Sequence, residues 1–246
     1  MRWWPKIQEG NIFGPSLRRG ALDIPLRENK MTIVRLGSRG ILPKVMNNFS
    51  IAGLLEPPTF DVDFRYLSSL PSFLTFTRSS GAVRTNSSGL LELLSGNDTP
   101  RFTYDPNSLL PIGILKEDTR TNSFLNATLD GANLATQGVT VTAVPWTVSF
   151  YGTGTITFSG AYAGAPLVGS GAYPTRSSVT FTPSAGTLTC TVTGTVKFAQ
   201  CELGTYATSF IPTTGVAATR AGETLSLAGA EFSSRININE GTVVVQ

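Results

Sequence analysis

The stretch from residue 138 to 199 constrains the fold of this chain more than any other part of it. Apolar and polar residues alternate there in six runs, separated by glycine-containing turns and spaced roughly ten residues apart. The runs are VTVTAV, WTVSFY, TITFSG, SSVTFTP, TLTCTVT and TVKFAQ. Alternation with a period of two is typical of strands that bury one face. The residues expected to share a face are Trp146, Val148 and Phe150 in one strand, and Leu188, Cys190 and Val192 in another. The pattern predicts a mainly β protein built on an antiparallel jelly-roll β-sandwich, closed with the help of strands from either side.

The composition also favours short strands joined by many turns. The chain has 32 Thr, 23 Ser, 25 Gly and 15 Pro, and only 14% of its residues are charged. It has no His, which excludes serine–histidine triads, histidine zinc sites and imidazole acid–base chemistry. No apolar run reaches the roughly 18 residues that a membrane helix needs, so we expect no membrane span. The N-terminus lacks the apolar core of a secretory signal.

Four stretches divide the chain. Residues 1–70 are irregular, because prolines interrupt every short apolar run, and we interpret them as an arm that docks onto a larger particle. Residues 71–137 are a linker with the short strands FLTFTR (73–78), LLELL (90–94) and RFTYD (101–105). Residues 138–214 form the predicted sandwich. Residues 215–246 are expected to start a further, truncated β module, whose last strand begins another sheet or forms an edge completed by a neighbouring copy.

Positive charge is concentrated near the N-terminus. Residues 1–44 hold nine Lys or Arg and three acidic residues, a balance of +6, although the whole chain carries only +3. Such an arm suits an acidic partner. It shows no recognised motif and no alternation of aromatic and basic residues, so nucleic-acid binding is not expected. Two alternatives stay open: a solvated tail, or a true start at Met31, in which case residues 1–30 are not native.

The predicted sandwich lacks the groups that catalysis requires. Between Gly138 and Ala199 the only charged residues are Arg176 and Lys197, whereas a glycosidase needs two carboxylates beside the scissile bond. The nearest acidic pairs are Asp61 with Asp63 and Glu117 with Asp118, all in connecting segments. No phosphate-binding glycine loop and no CxxC motif occur. We therefore expect no enzymatic activity, no metal site and no cofactor.

Two cysteines, Cys190 and Cys201, flank the turn at Gly194. One interpretation is that they lie opposite each other in a hairpin, where a disulfide is conceivable. The interpretation that we favour is that each fills a small apolar slot as a free thiol.

Aromatic residues near the predicted turns could stack on a sugar ring. The candidates for a glycan site are Tyr151, Tyr162 and Tyr173, with Arg176 as a hydrogen-bond donor. The alternative is that these rings cap the ends of the sandwich, which is the commoner role of Tyr near turns.

Arginines and acidic residues are interspersed in the linker. Arg101 and Arg120 lie among Asp105, Glu117 and Asp118, and we predict a structural clamp of buried arginine–carboxylate pairs made by Arg101, Asp105, Glu117 and Arg120. Ligand contact by these residues is the alternative. Gln200 and Glu202 alternate with Cys201, so they are expected to face solvent or a neighbouring chain.

Two parts of the sequence carry a family resemblance. The first is LTFTRSSGAVRTNSSGLLELLSGNDTPRFTYDP (74–106) with GILKEDTRTN (113–122), and the second is AQCELGTYATSFIPTTGVAATRAGE (199–223). Together they resemble tailed-bacteriophage structural proteins described as head spike or tail fibre proteins. The sharpest matches are the run from Asn97 to Asp105-Pro106 and the triplet Arg120-Thr121-Asn122. The resemblance covers roughly residues 73–246.

The resemblance implies a carbohydrate-binding-like β-sandwich between the two segments, often followed by a concanavalin-A-like module. It further implies a non-enzymatic virion structural protein, a head or tail fibre or spike, that is assembled in the host cytoplasm and takes part in host attachment. Its partners would be other virion proteins, through residues 1–70, and a host surface glycan. By analogy the protein would be a homo-oligomer, a trimer. The alternatives are a glycan-binding module and, last, a polysaccharide depolymerase.

Overall fold

Alternating side chains produce strands along most of the chain. The computed structural model describes residues 33–36, 60–236 and 242–245, and this part of the chain is mainly β. Its strands are β1 (Ile33–Leu36), β2 (Phe60–Val62), β3 (Thr75–Thr77), β4 (Ala82–Thr85), β5 (Leu91–Leu94), β6 (Arg101–Tyr104), β7 (Pro111–Leu115), β8 (Arg120–Asn122), β9 (Gln137–Val141), β10 (Trp146–Gly152), β11 (Thr155–Gly160), β12 (Leu167–Val168), β13 (Gly171–Phe181), β14 (Gly186–Thr193), β15 (Lys197–Leu203), β16 (Ala218–Arg220), β17 (Thr224–Ser226) and β18 (Thr242–Val245). A 3₁₀ turn covers Phe64–Tyr66, and the α-helix α1 covers Gly229–Arg235. All but a few residues of the predicted basic arm (1–44), and Met31 itself, lie outside the described residues.

Two antiparallel sheets are built from the region with the strongest alternation. One has the strand order β12-β11-β14-β9 and the other β13-β10-β15. Each of the six predicted runs contains a strand, and the predicted faces are confirmed. Trp146, Val148 and Phe150 are buried, as are Leu188 and Cys190.

The inward faces of these two sheets share one apolar core, and we call this unit the two-sheet core. Its buried members come from both sheets and from the segments that lead into and out of them. They include Val139, Val141, Trp146, Val148, Phe150, Ile156, Phe158, Phe181, Leu188, Cys190, Val196, Ala199, Cys201, Phe124 and Phe210. Burying side chains of this size stabilises the fold by about 1.5–3 kcal/mol each, which makes this core the main source of stability.

Cys190 and Cys201 are both buried and free. They do not lie opposite each other in a hairpin, because β14 pairs with β11 and β9 whereas β15 pairs with β10 in the other sheet. The chain crosses from one sheet to the other at Gly194 instead of turning back on itself. Each thiol therefore occupies an apolar slot on its own sheet.

The turn between β10 and β11 depends on close backbone approach. A Cβ placed on Gly152, whose φ is +139°, would lie 2.0 Å from the carbonyl oxygen of Thr195. A Cβ on Gly154 would lie 2.4 Å from the carbonyl oxygen of Thr193. Only glycine fits at these two positions, which explains why this glycine-rich turn can pack against the start of β15.

Strands on either side of the two-sheet core pair with one another and do not close its sheets. β16 pairs with β8, β17 with β3, β4 with β5 and β6 with β7, all antiparallel. Residues 215–246, predicted as the start of a further module, thus contribute three strands, β16, β17 and β18, that pair with earlier parts of the chain. The last strand, β18, pairs in parallel with β1, which also pairs with β2. No helix among the described residues is long and apolar enough to cross a membrane.

Candidate functional site

A cluster of buried arginines and glutamates lies where the chain enters and leaves the two-sheet core. We call it the arginine cluster; its members are Arg78, Arg101, Glu117, Arg220 and Glu223. Arg101 donates from Nε and Nη2 to the two oxygens of Glu223, at 2.7 and 2.5 Å. Arg78 donates from Nη1 to the same carboxylate at 2.8 Å. The side chains of Arg78, Arg101 and Glu223 are all 0% exposed. Glu223 therefore forms two fully buried ion pairs, one with each arginine.

Glu117 holds the other side of the arginine cluster. Its carboxylate lies 2.9 Å from Nη2 of Arg101 and 3.0 Å from Nη1 of Arg220, and it accepts a 2.9 Å hydrogen bond from the backbone N–H of Ser209. Burial raises the pKa of Glu117, but the Arg220 guanidinium, the hydrogen bonds from Ser209 and the Arg101 guanidinium outweigh burial and hold that pKa below its ordinary value. Glu117 is therefore an ionised structural partner.

Three guanidinium groups face two carboxylates, so the remaining donors need neutral acceptors. Carbonyl oxygens supply most of them: Ser80 and Gly96 for Arg78, Val83 for Arg101, and Asp118 for Arg220. Among the described residues, the Nε atoms of Arg120, Arg176 and Arg220 are buried without a hydrogen-bond partner. The arginine cluster is a closed network that can position segments of the chain, and its carboxylates are both occupied by arginine.

The predicted clamp residues are divided between three places. Arg101 and Glu117 meet in the arginine cluster. Arg120 lies with its guanidinium carbon 5.2 Å from the ring centre of Tyr206 and its Nε 4.0 Å from the carboxylate of Glu202. Asp105 instead accepts hydrogen bonds from the backbone N–H groups of Asn107 and Ser108, at 2.9 and 2.7 Å, and so shapes the loop between β6 and β7.

Sequence reasoning missed three members of the arginine cluster. These are Arg78, Arg220 and Glu223. All three lie inside the segments that carry the family resemblance, and Arg220-Ala221-Gly222-Glu223 closes the second of them. The available signal was that charged residues are rare in these segments. That signal does not identify the ion-pair partner of each residue when the partner lies more than a hundred residues away in sequence.

Gln200 and Glu202 correct an expectation: both are 0% exposed and do not face solvent. The alternation does place them opposite Cys201, but the segment that follows β15 covers that face of the sheet. Glu202 accepts hydrogen bonds from the N–H and hydroxyl of Thr208, at 2.8 and 2.7 Å. Gln200 donates to Glu202 at 2.9 Å and accepts from the N–H of Ile211. The sheet that contains β15 therefore carries apolar side chains on its core face and buried polar side chains on its other face.

Three of the four candidate glycan residues lie together. The rings of Tyr151 and Tyr173 meet edge to face at 5.2 Å, and the Arg176 guanidinium lies 5.5 Å from the ring centre of Tyr151. Arg176 donates to the Ser149 hydroxyl at 2.7 Å and to the carbonyl of Thr208. We call Tyr151, Tyr173 and Arg176 the tyrosine pair site.

The surroundings of the tyrosine pair site are partly strained. The Tyr173 hydroxyl lies 2.7 Å from that of Thr85, which joins the site to the β4–β5 hairpin. Phe198, at a bulge in β15, has a φ of +46° and packs edge-on against Tyr151 at 6.2 Å. Tyr162 lies elsewhere, stacked on Phe181 at 4.0 Å, which matches the capping alternative. The positive φ of Phe198 is costly, and backbone strain of this kind is concentrated at functional sites.

Two of the acidic residues that the sequence offered for catalysis have structural partners instead. Asp63 forms an ion pair with Arg65, and the side-chain hydrogen bond from Arg65 lowers the pKa of Asp63 despite its partial desolvation. Glu117 belongs to the arginine cluster, and the Asp61 side chain lies outside the described ones. Within the described residues, no group of three or more His, Cys, Asp or Glu could hold a metal ion.

Comparisons with protein-family models, curated proteins and solved structures found no match to this chain. What the chain does is therefore inferred from its own residues. Two places carry that inference: the arginine cluster, which is closed, and the tyrosine pair site, which has partly exposed rings.

Proposed function

We propose that this chain is a non-enzymatic structural protein of a bacteriophage virion, a head or tail fibre or spike, that takes part in attachment to the host surface. One observation carries the proposal. The segments that resemble phage fibre proteins, 74–106, 113–122 and 199–223, are far apart in sequence, yet each supplies members of the arginine cluster. The parts that carry the resemblance therefore act together as one structural unit, which supports a shared architectural role.

The chemistry of the arginine cluster suits such a role. Buried carboxylates that are each held by two arginines help to fix the arrangement of the segments that carry them, whereas a catalytic acid must be free to exchange a proton. Glu117, one of the carboxylates considered for a depolymerase, is held by Arg101 and Arg220. On this proposal the two-sheet core is a jelly-roll sandwich that presents a surface. Residues 1–70 dock to other virion proteins, and the assembly is a trimer built in the host cytoplasm.

The test is the composition of the virus particle. Gradient-purified particles of the phage whose genome encodes this chain are analysed by mass spectrometry, and immunoelectron microscopy then locates the chain. The expected result is stoichiometric protein with label at the head or the tail. Infected lysates that contain the protein, but purified particles that lack it, would overturn the proposal.

Glycan binding is the second candidate function, and the tyrosine pair site favours it. Half-buried aromatic rings beside a fixed guanidinium provide a stacking surface and an adjacent charged group. The full-length protein is applied to a glycan array together with Tyr173→Ala and a control, Tyr66→Ala, whose ring is 76% exposed beside Arg65. We expect a glycan signal that falls at least tenfold in Tyr173→Ala and is unchanged in Tyr66→Ala. Absence of any bound glycan, or equal signals for both variants, contradicts this function.

A further inference from the structure

The strand β13 lies at the edge of its sheet. Arg176–Phe181 pairs residue for residue with Trp146–Tyr151 of β10, without a shift in register. On the other side of β13 no strand is paired among the described residues. The backbone along Ser177–Phe181 thus forms a straight, regular ladder on one side and an open edge on the other.

Natural sheets usually protect such edges, and the other edges of the two-sheet core show this. β12 has only two residues. β15 is covered, because Asn122 donates to the carbonyl of Ala199 and the N–H of Ser123 donates to that of Cys201. β9 is short and contains Gly138, which weakens strand pairing.

β13 is protected only in its first half. Pro174 lies there, and the register with β10 shifts between Tyr151 and Gly152. From Ser177 to Phe181 the strand has no proline, no charge and no bulge. Its β-branched Val179 and Thr180 favour strand pairing. Val179 packs against the core but is only partly buried, and no described strand pairs with β13 on that side.

Arg176 is the only charged residue within β13, and it does not oppose a neighbouring strand. Arg176 lies over the face of its own sheet that is turned away from the core, above Tyr151, where it donates to Ser149 and Thr208. A strand approaching Ser177–Phe181 therefore meets an uncharged surface. A second copy of the same strand satisfies this requirement, because its own edge is also uncharged.

We propose that β13 pairs with β13 of a second copy of this chain, antiparallel and about a two-fold axis at Val179. Val179 then faces Val179, Ser178 faces Thr180, and the two sheets join into one. The two Arg176 side chains are kept about 20 Å apart, since a strand advances about 3.4 Å per residue. Self-pairing satisfies both open edges at once, whereas an added foreign strand would expose a new edge. A strand pair alone buries less than the roughly 800 Å² per partner of a stable interface, so the dimer depends on concentration.

Charge at the edge provides the first test. Sedimentation equilibrium of the full-length chain is measured over a wide concentration range for the wild type, Ser178→Lys, Ser178→Glu and their mixture. The two 178 positions lie diagonally across the pair, about 7–8 Å apart. Because the proposed function expects a trimer, the readout is a ratio of masses: we expect the wild type and the mixture to have twice the mass of either variant alone. The control Thr157→Lys, exposed on the central strand β11, should dimerise like the wild type.

A covalent test works even for weak pairing. Val179→Cys brings two thiols together across the two-fold axis, so mild oxidation should give a disulfide-linked dimer, whereas Thr157→Cys should not. Circular dichroism checks that each variant keeps the wild-type fold. A wild type that stays monomeric with no Val179→Cys cross-link overturns the proposal. A trimer whose mass Ser178→Lys leaves unchanged overturns it as well.

Discussion

At the scale of single residues, the amide of Asn122 shows how one side chain fixes the entry into the two-sheet core. Asn122 is fully buried. Its Nδ2 donates to the carbonyls of Ala199 and Ile211, both at 2.9 Å, and its Oδ1 accepts from the N–H groups of Phe124 and Cys201, both at 3.1 Å. One amide thus satisfies four backbone groups that belong to three parts of the chain. The sequence marked Arg120-Thr121-Asn122 as a motif, but not this function of its last residue.

Replacing this amide should be costly. We expect Asn122→Ala to lower the free energy of unfolding by about 3 kcal/mol or more, because four buried backbone groups lose partners worth roughly 1 kcal/mol each. Urea denaturation measures the change. Asn107→Ala, at an exposed position, should change it by less than about 0.5 kcal/mol. Equal small losses in both variants would show that water replaces the amide.

At the scale of elements, the pairing of β8 with β16 depends on Glu117, which lies shortly before β8. Glu117 precedes β8, accepts from Ser209 and pairs with Arg220 at the end of β16. The ladder is only three residue pairs long, so its own hydrogen bonds contribute little. The ion pair and the Ser209 contacts are what hold the two strands at this register.

This arrangement predicts how stability depends on pH. The pKa of Glu117 is lower in the folded chain than its ordinary value of 4.5, so the unfolded chain takes up the proton first. Stability from Glu117 is fully present above pH 4.5 and is lost as pH falls through the lower pKa of the folded state. Urea midpoints measured at decreasing pH should fall more steeply for the wild type than for Glu117→Gln. Glu92→Gln, at a side chain 40% exposed, should keep the wild-type slope, and a Glu117→Gln slope equal to it would contradict the assignment.

The elements also show what sequence can and cannot predict. The strands between residues 138 and 199, and their buried faces, follow from local alternation. The partner strands of β14 and β15 do not follow from it. Proximity in sequence favours a hairpin between these two strands, whereas the structure places them in opposite sheets on either side of the shared core. Strands of three residues, such as β16 and β17, carry almost no local signal. The burial of Gln200 and Glu202 depends on a later segment that covers them, which no strand pattern reveals.

At the scale of the whole molecule, the arginine cluster joins the parts before and after the two-sheet core. Glu223 follows the core in sequence, and Arg78 and Arg101 precede it. Its carboxylate is the only one among the described residues that contacts both of these arginines. The flanking ladders and the core are therefore expected to unfold as one unit.

Removing this one charge should weaken the entire molecule. Glu223→Gln leaves buried guanidinium groups without a counter-charge, which should cost about 3–5 kcal/mol. Burial raises the pKa of Cys190 to about 12, so this thiol reacts only on unfolding and reports on the core. The urea midpoint measured by circular dichroism and the midpoint measured by thiol labelling should therefore both fall, and by the same amount. Glu231→Gln, in an exposed pair with Arg235, should shift neither by more than about 0.5 kcal/mol. An unchanged labelling midpoint in Glu223→Gln would mean that core and flanks unfold separately.

The register of β8 with β16 has a consequence for how such a chain can diversify. Asn122 lies opposite Ala218, so the polypeptide departs from the flanking ladders and returns to them at a single spot. A foreign domain whose two termini are neighbours fits this spacing, but it must also replace the contacts that Ser209 makes with Glu117 and Arg220. The same spot suits laboratory grafting, in which the segment between Asn122 and Ala218 is exchanged and the flanking ladders are kept.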